Sequence, residues 1–158
     1  MPLDESFKGR TGGRSRVTIE RSAVTNFARA VKDPNPIYYD VRAAKAAGFA
    51  NIPAPPTFIF VAGGWGTWPE DQPDDPGVNP LGEIAVEYAR QGGLLLHGEQ
   101  SYIYERPVVV GDVLDTEAEV VDTYTKGSMT FAIVETRFTD AATGELVVTT
   151  RTNMINRQ

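Results

Sequence analysis

Apolar residues recur at helical intervals in the first part of the chain and at alternating positions in the last third, so the pattern predicts helices followed by strands. "RVTIER" alternates enough for a short strand. Beyond it, Val24, Phe27, Ala28 and Val31 stand at the i, i+3, i+4, i+7 spacing of a buried helical stripe, with Ser22 as the expected N-cap. Pro34 and Pro36 stop that helix, because proline removes an N–H and restricts the residue before it. "VRAAKAAG" (41–48) reads as a second short helix closed by Gly48. In "NIPAPPTFIFVAGGWG", Pro55 and Pro56 suit a first helical turn, and Phe58, Val61, Ala62 and Trp65 follow at helical spacing. Ile59 and Phe60 make the segment apolar on nearly every side, which predicts a helix enclosed by other structure. "TWPEDQPDDPGVNP" is a loop by its Pro, Asp and Gly content.

From about residue 95 the period becomes two. "GEQSYIYERPVVV" places Tyr102 and Tyr104 on one face, and Gly111-Asp112 makes a turn. In "VLDTEAEVV", Leu114, Thr116, Ala118 and Val120 oppose Asp115, Glu117 and Glu119. After a Lys126-Gly127 turn come "MTFAIVETRF", the loop "DAATGE" and "LVVTTRTNMI". Four long strands with short turns predict an antiparallel meander. The fold class is therefore α+β, a sheet curled around one central helix.

Composition narrows the chemistry more than it announces any. The 158 residues suffice for one domain, with residues 1–16 expected as a flexible lead-in and 17–158 as the folded unit. No apolar run approaches the roughly 20 residues of a membrane span, and the N-terminus lacks a secretory apolar region, so a cytoplasmic location is expected. A net charge of −6 argues against a nucleic-acid surface. With no cysteine there is no thiol nucleophile, and with His97 as the one histidine a multi-histidine metal site is excluded. No metal and no cofactor is expected.

Three motifs carry a resemblance: "DPNPIY" (33–38), "PAPPTF" (53–58) and "LHGEQSYIYERPVVVGD" (96–112). Together, over about residues 17 to 155, they resemble the MaoC-like (R)-specific hydratase/dehydratase superfamily, and the third motif resembles its FAS1-like dehydratase branch. That branch includes subunits of (3R)-hydroxyacyl-ACP dehydratase. The resemblance implies a hot-dog fold, an acyl-CoA or acyl-ACP substrate, and reversible water addition to a 2-enoyl thioester. It implies a homodimer, or a heterodimer with a catalytic hot-dog subunit, protomers associating by continuing their sheets side by side.

Hydrating an enoyl thioester needs a group to activate water, a proton for the α-carbon and donors for the enolate oxygen. In catalytic members, Asp and His of the first motif hold the water, and a backbone N–H at the start of the central helix binds the thioester oxygen. Here Asp33 and Asn35 match, Thr57 holds the N–H position between Pro56 and Phe58, and Tyr38 stands where the histidine belongs. A phenol with a pKa near 10 is a poor base at neutral pH. The expected catalytic candidates are therefore Asp33, Tyr38 and His97, and the substrate-binding candidates Asn35, Pro56, Thr57 and Phe58. Replacement of His by Tyr favours a subunit that needs a partner carrying the intact Asp/His pair. Three other readings stay open: a self-sufficient hydratase using Asp33 with Tyr38 or His97, a non-catalytic acyl-thioester binding module and, less favoured, a hot-dog thioesterase. A plain reading also stands for each residue, with Asp33 and Asn35 as an Asx turn and His97 as a structural histidine. His97 with Glu99 is a further acid and base pairing. Lys32, Arg42 and Lys45 are candidates for CoA phosphates by proximity alone.

Overall fold

The alternating C-terminal third folds as expected into sheet, in a computed structural model that describes residues 3 and 5–157. Five antiparallel strands, β1 (Thr11–Thr18), β2 (Leu94–Tyr104), β3 (Val113–Lys126), β4 (Met129–Asp140) and β5 (Leu146–Arg157), lie in the order β1-β3-β4-β5-β2. Leu114, Thr116, Ala118 and Val120 of β3 are buried, so the alternation read from the sequence sets the inner face. The helices are α1 (Arg21–Ala30), α2 (Val41–Ala46) and α3 (Pro80–Gln91).

Four expectations need correction. Strand β1 begins at Thr11, inside the segment expected as lead-in, and Gly12 and Gly13 carry a register shift against β3 there. The α1 helix is entered from Glu20, not Ser22; Val24 and Ala28 are buried and Phe27 is partly buried, but Val31 is exposed at its C-cap. Strands β2 and β3 do not form a hairpin, because β2 pairs with β5 on the far side of the sheet. Their link, 105–112, crosses the end of the sheet instead. It is held by Glu105 N–H to the Val147 carbonyl (2.9 Å), by Val110 N–H to the Ile52 carbonyl (2.8 Å) and by Arg106, whose guanidinium reaches Asp112 (2.7 Å) and Asp140 (3.0 Å). Finally, the apolar 55–66 stretch is no continuous helix. It folds into two 3₁₀ turns, Phe58–Phe60 and Ala62–Gly64, broken at Val61, and Gly63, Gly64 and Gly66 weaken helical propensity in and after the second. The helix laid across the sheet is α3, which packs on β1, β2, β3 and β4. Its Asn79 cap, accepting Leu81 N–H at 3.0 Å, and its Pro80 sit at the end of the expected loop.

The core divides in two. One cluster gathers Val17, Val24, Phe58, Ile59, Leu114, Phe138 and Val148, and the other Ile84, Tyr88, Val120, Ala132 and Val134 under α3.

The two edges of the sheet differ. Along β1 the segment 66–78 acts as a strap: Thr18 N–H donates to the Gly66 carbonyl (2.8 Å) and Arg14 N–H to the Pro76 carbonyl (2.7 Å). Between them Gln72 takes both polar groups of Arg16, accepting its N–H on Oε1 and donating from Nε2 to its carbonyl, each at 3.0 Å. A Cβ at Gly66 would lie 2.0 Å from the Thr18 carbonyl oxygen, so only glycine allows this approach. The Asp/Pro loop is therefore an edge cover. The outer edge of β2 has no such cover among the described residues, and Leu94, Leu95, Leu96 and Ile103 are exposed along it. Gln72→Ala is expected to lower stability by about 1–2 kcal/mol, since it orphans both Arg16 groups. Urea unfolding checks this, and an unchanged midpoint would show that the strap contributes nothing.

Candidate functional site

The turn after α1 is built by its own polar side chains. The Asp33 carboxylate accepts Asn35 N–H (3.0 Å), and Asn35 Oδ1 accepts Ile37 N–H (3.2 Å), capping the 3₁₀ turn Pro36–Tyr38. Tyr39 hydroxyl donates to the Asp33 carbonyl at 2.6 Å. Asn35 is exposed and serves this turn. Tyr38 is 8% exposed, and Thr25 hydroxyl donates to its carbonyl at 2.9 Å. Burial first, then the nearby Asp33 charge, raises the Tyr38 phenol above its ordinary value.

Tyr38 lines a cavity of about 340 Å³ together with Ile37, Phe49, Pro56, Tyr104 and Arg106. Its floor is fixed by a 2.5 Å bond from Tyr104 hydroxyl to the Pro56 carbonyl. Burial, helped by Tyr102, pushes the Tyr104 phenol up to about 12. The next residue, Thr57, is exposed, and its backbone N–H has no acceptor among the described residues. The helix dipole expected behind that N–H is missing, because a three-residue 3₁₀ turn follows in place of a long helix. Phe58 is a core residue, 1% exposed and packed edge-on against Phe27 at 5.6 Å.

His97 lies in a different place. It lines a second cavity, about 420 Å³, on the inner face of the sheet, stacked on Phe60 at 5.0 Å. Its Nε2 is 3.1 Å from Gln100 Oε1, which also accepts Thr152 hydroxyl at 2.8 Å. A carboxamide oxygen only accepts, so Nε2 is the donor in this contact. Glu99, set off by the bulge at Gly98, is not its partner. The structure thus brings Tyr38 and Pro56 to one cavity and His97 to another. Asp33 lines neither. Tyr104 and Gln100 were not singled out as site residues from sequence, although the alternation of β2 puts both on the inward face.

The FAS1-like dehydratase domain region model matches residues 6–150. The chain belongs to this family. Similar relatives are UPF0336 proteins: one from Streptomyces avermitilis is 35% identical across 99% of this chain and 97% of its own. Another, from Saccharopolyspora erythraea, is 32% identical across 99% and 93%. Among solved structures, the C-terminally truncated HadBC (3R-hydroxyacyl-ACP dehydratase) complex from Mycobacterium tuberculosis has a chain that superposes with a TM-score of 0.73 at 20% identity, covering 98% of this chain and 100% of that one. The ChsH1–ChsH2 complex from the same organism gives 0.73 at 23%, covering 94% and 89%. The R-hydratase PhaJ1 from Pseudomonas aeruginosa gives 0.64 at 21%, covering 99% and 86%. The fold is the hot-dog fold of the MaoC-like dehydratases. For a member of the FAS1-like dehydratase family, the Tyr38 cavity marks the position of the first motif and the His97 cavity the space under the sheet.

Tyr104→Phe is expected to lower stability by about 1 kcal/mol at neutral pH through loss of the bond to Pro56. The raised Tyr104 phenol stabilises the fold fully below pH 10, and that contribution is lost as pH rises towards about 12. The variant is therefore expected to show a shallower alkaline fall in urea midpoint, with the residual fall owed to Tyr88, also pushed up to about 12 by burial, and to Tyr38 and Tyr102, which burial raises as well. Identical alkaline profiles would contradict the assignment.

Proposed function

We propose that the chain is the acyl-thioester-binding subunit of an enoyl-thioester hydratase, or (3R)-hydroxyacyl-thioester dehydratase, and that it works beside a second hot-dog chain carrying an Asp/His pair. One observation carries this reading: the first motif presents no acid–base pair. Asp33 carboxylate is engaged in an Asx turn, and Tyr38 is a buried phenol raised above its ordinary value, which keeps its proton at neutral pH. The uncovered β2 edge gives a partner sheet a place to continue, and HadBC and ChsH1–ChsH2 are themselves complexes. Thr57 N–H offers a donor to the thioester oxygen. The acyl carrier, CoA or a carrier protein, belongs to the same proposal, as does a location in the cytoplasm; no helix among the described residues is long and apolar enough to cross a membrane.

A second reading has its own observation. His97, the one histidine of the chain, opens onto a cavity with its Nε2 held by Gln100, so its other ring nitrogen is placed to act there as an acid or base.

The test follows the absorbance of crotonyl-CoA with the purified chain. The first reading predicts little turnover by the chain alone. Tyr38→His is expected to raise it by a factor of about 10² or more, the usual contribution of general acid–base catalysis, and Asp33→Asn in that background to remove the gain. Steady turnover by the unaltered chain, lost in His97→Ala and kept in Asp33→Asn, would overturn the first reading in favour of the second.

A further inference from the structure

The cavity on the inner face of the sheet separates the two core clusters. Val17, Ile59 and Phe138 wall it from one side, and Leu81, Ala118 and Met154 from the other. Between these apolar walls its sheet-side floor is made of hydroxyls. Thr136 and Thr150 are cross-strand partners on β4 and β5, Thr116 lies on β3 and Thr152 is two residues along β5. Two of the hydroxyls are occupied within the protein: Thr116 by Ser15 at 2.8 Å, and Thr152 by Gln100 at 2.8 Å. The Thr136 and Thr150 hydroxyls have no partner among the described residues and are not sealed off: both residues line the cavity, Thr136 half-buried and Thr150 4% exposed. Valine has the shape of threonine and would fill the same strand positions without a hydroxyl facing the cavity. A pocket for a plain saturated chain gains nothing from hydroxyls there. An oxygen placed between Thr136 and Thr150 would satisfy both.

We propose that this cavity receives the acyl group and selects chains that bear a hydrogen-bonding oxygen, hydroxyl or oxo, on a carbon beyond the thioester's reacting end, with Thr136 and Thr150 binding that oxygen. This rests on the thioester reading above and sharpens it to a substrate class. Selectivity arises because an unsubstituted chain displaces water from two hydroxyls and leaves them unpaired, whereas an oxygenated chain replaces the bonds it displaces. The apolar walls on either side accept the methylenes that lead to and from the oxygen.

The experiment compares hexanoyl-CoA with 6-hydroxyhexanoyl-CoA, titrated calorimetrically into the purified chain and into Thr136→Val, Thr150→Val and the double variant. Thermal melts verify that each variant is folded. The expected result is about tenfold tighter binding of the hydroxylated ligand, the preference falling to none in the double variant while hexanoyl-CoA affinity holds or rises. The threonine methyl resonances of positions 136 and 150 should shift with the hydroxylated ligand in the unaltered chain. Equal binding of the two ligands, or a preference that survives both substitutions, overturns the selectivity and leaves the thioester reading intact. Failure of both ligands to bind overturns the two together.

Discussion

A sheet has two edges, and the backbone donors and acceptors along each must find partners in the chain, in water or in another molecule. In this protein that constraint organises most of what surrounds the sheet. The strap 66–78 closes the β1 edge through Gly66, Gln72 and Pro76. Because the strap is committed there, α3 can start only after it, at Pro80, and then runs over the inner face. The opposite edge, β2, is left to its leucines. The site candidates lie between these two choices: Tyr104 and Gln100 point inward from the open strand, and Pro56 and Phe60 meet them from the 3₁₀ segment.

A buried phenol beside Asp33 lines the Tyr38 cavity, and Asp33 holds the turn that carries Tyr38. Likewise Arg106, bridging Asp112 and Asp140, ties the crossing link to the strand ends, and a hydrogen bond to each carboxylate raises its own pKa further. Its role is to place the end of β2, and with it Tyr104.

Alternation made the inner face of β3 legible in the sequence, residue by residue, because a half-buried antiparallel strand enforces period two. Asp33 and Asn35 were legible as turn formers for the same local reason: their side chains bond to N–H groups two residues on. Strand order was not legible. A Gly-Asp turn after "VVV" looks like a hairpin, and only the long-range pairing of β2 with β5 decides otherwise. The 55–66 segment misled for a different reason: its apolar residues have helical spacing, but Gly63, Gly64 and Gly66 lower its propensity, and contact with Thr18 fixes Gly66. Of the cavity's threonines only Thr116 was visible as an inward-facing residue of its strand. That Thr136, Thr150 and Thr152 join it in one cavity emerges only when three strands are laid side by side.

The measurement that bears most directly on the account is a titration of this chain with a hot-dog chain carrying the Asp/His pair, following crotonyl-CoA consumption and native mass together. The account predicts that a saturated acyl-CoA binds this chain alone, that crotonyl-CoA is consumed only once the second chain is present, and that the rate saturates at one-to-one stoichiometry as a two-chain species forms. Full turnover by this chain alone, unaffected by the addition, would contradict it.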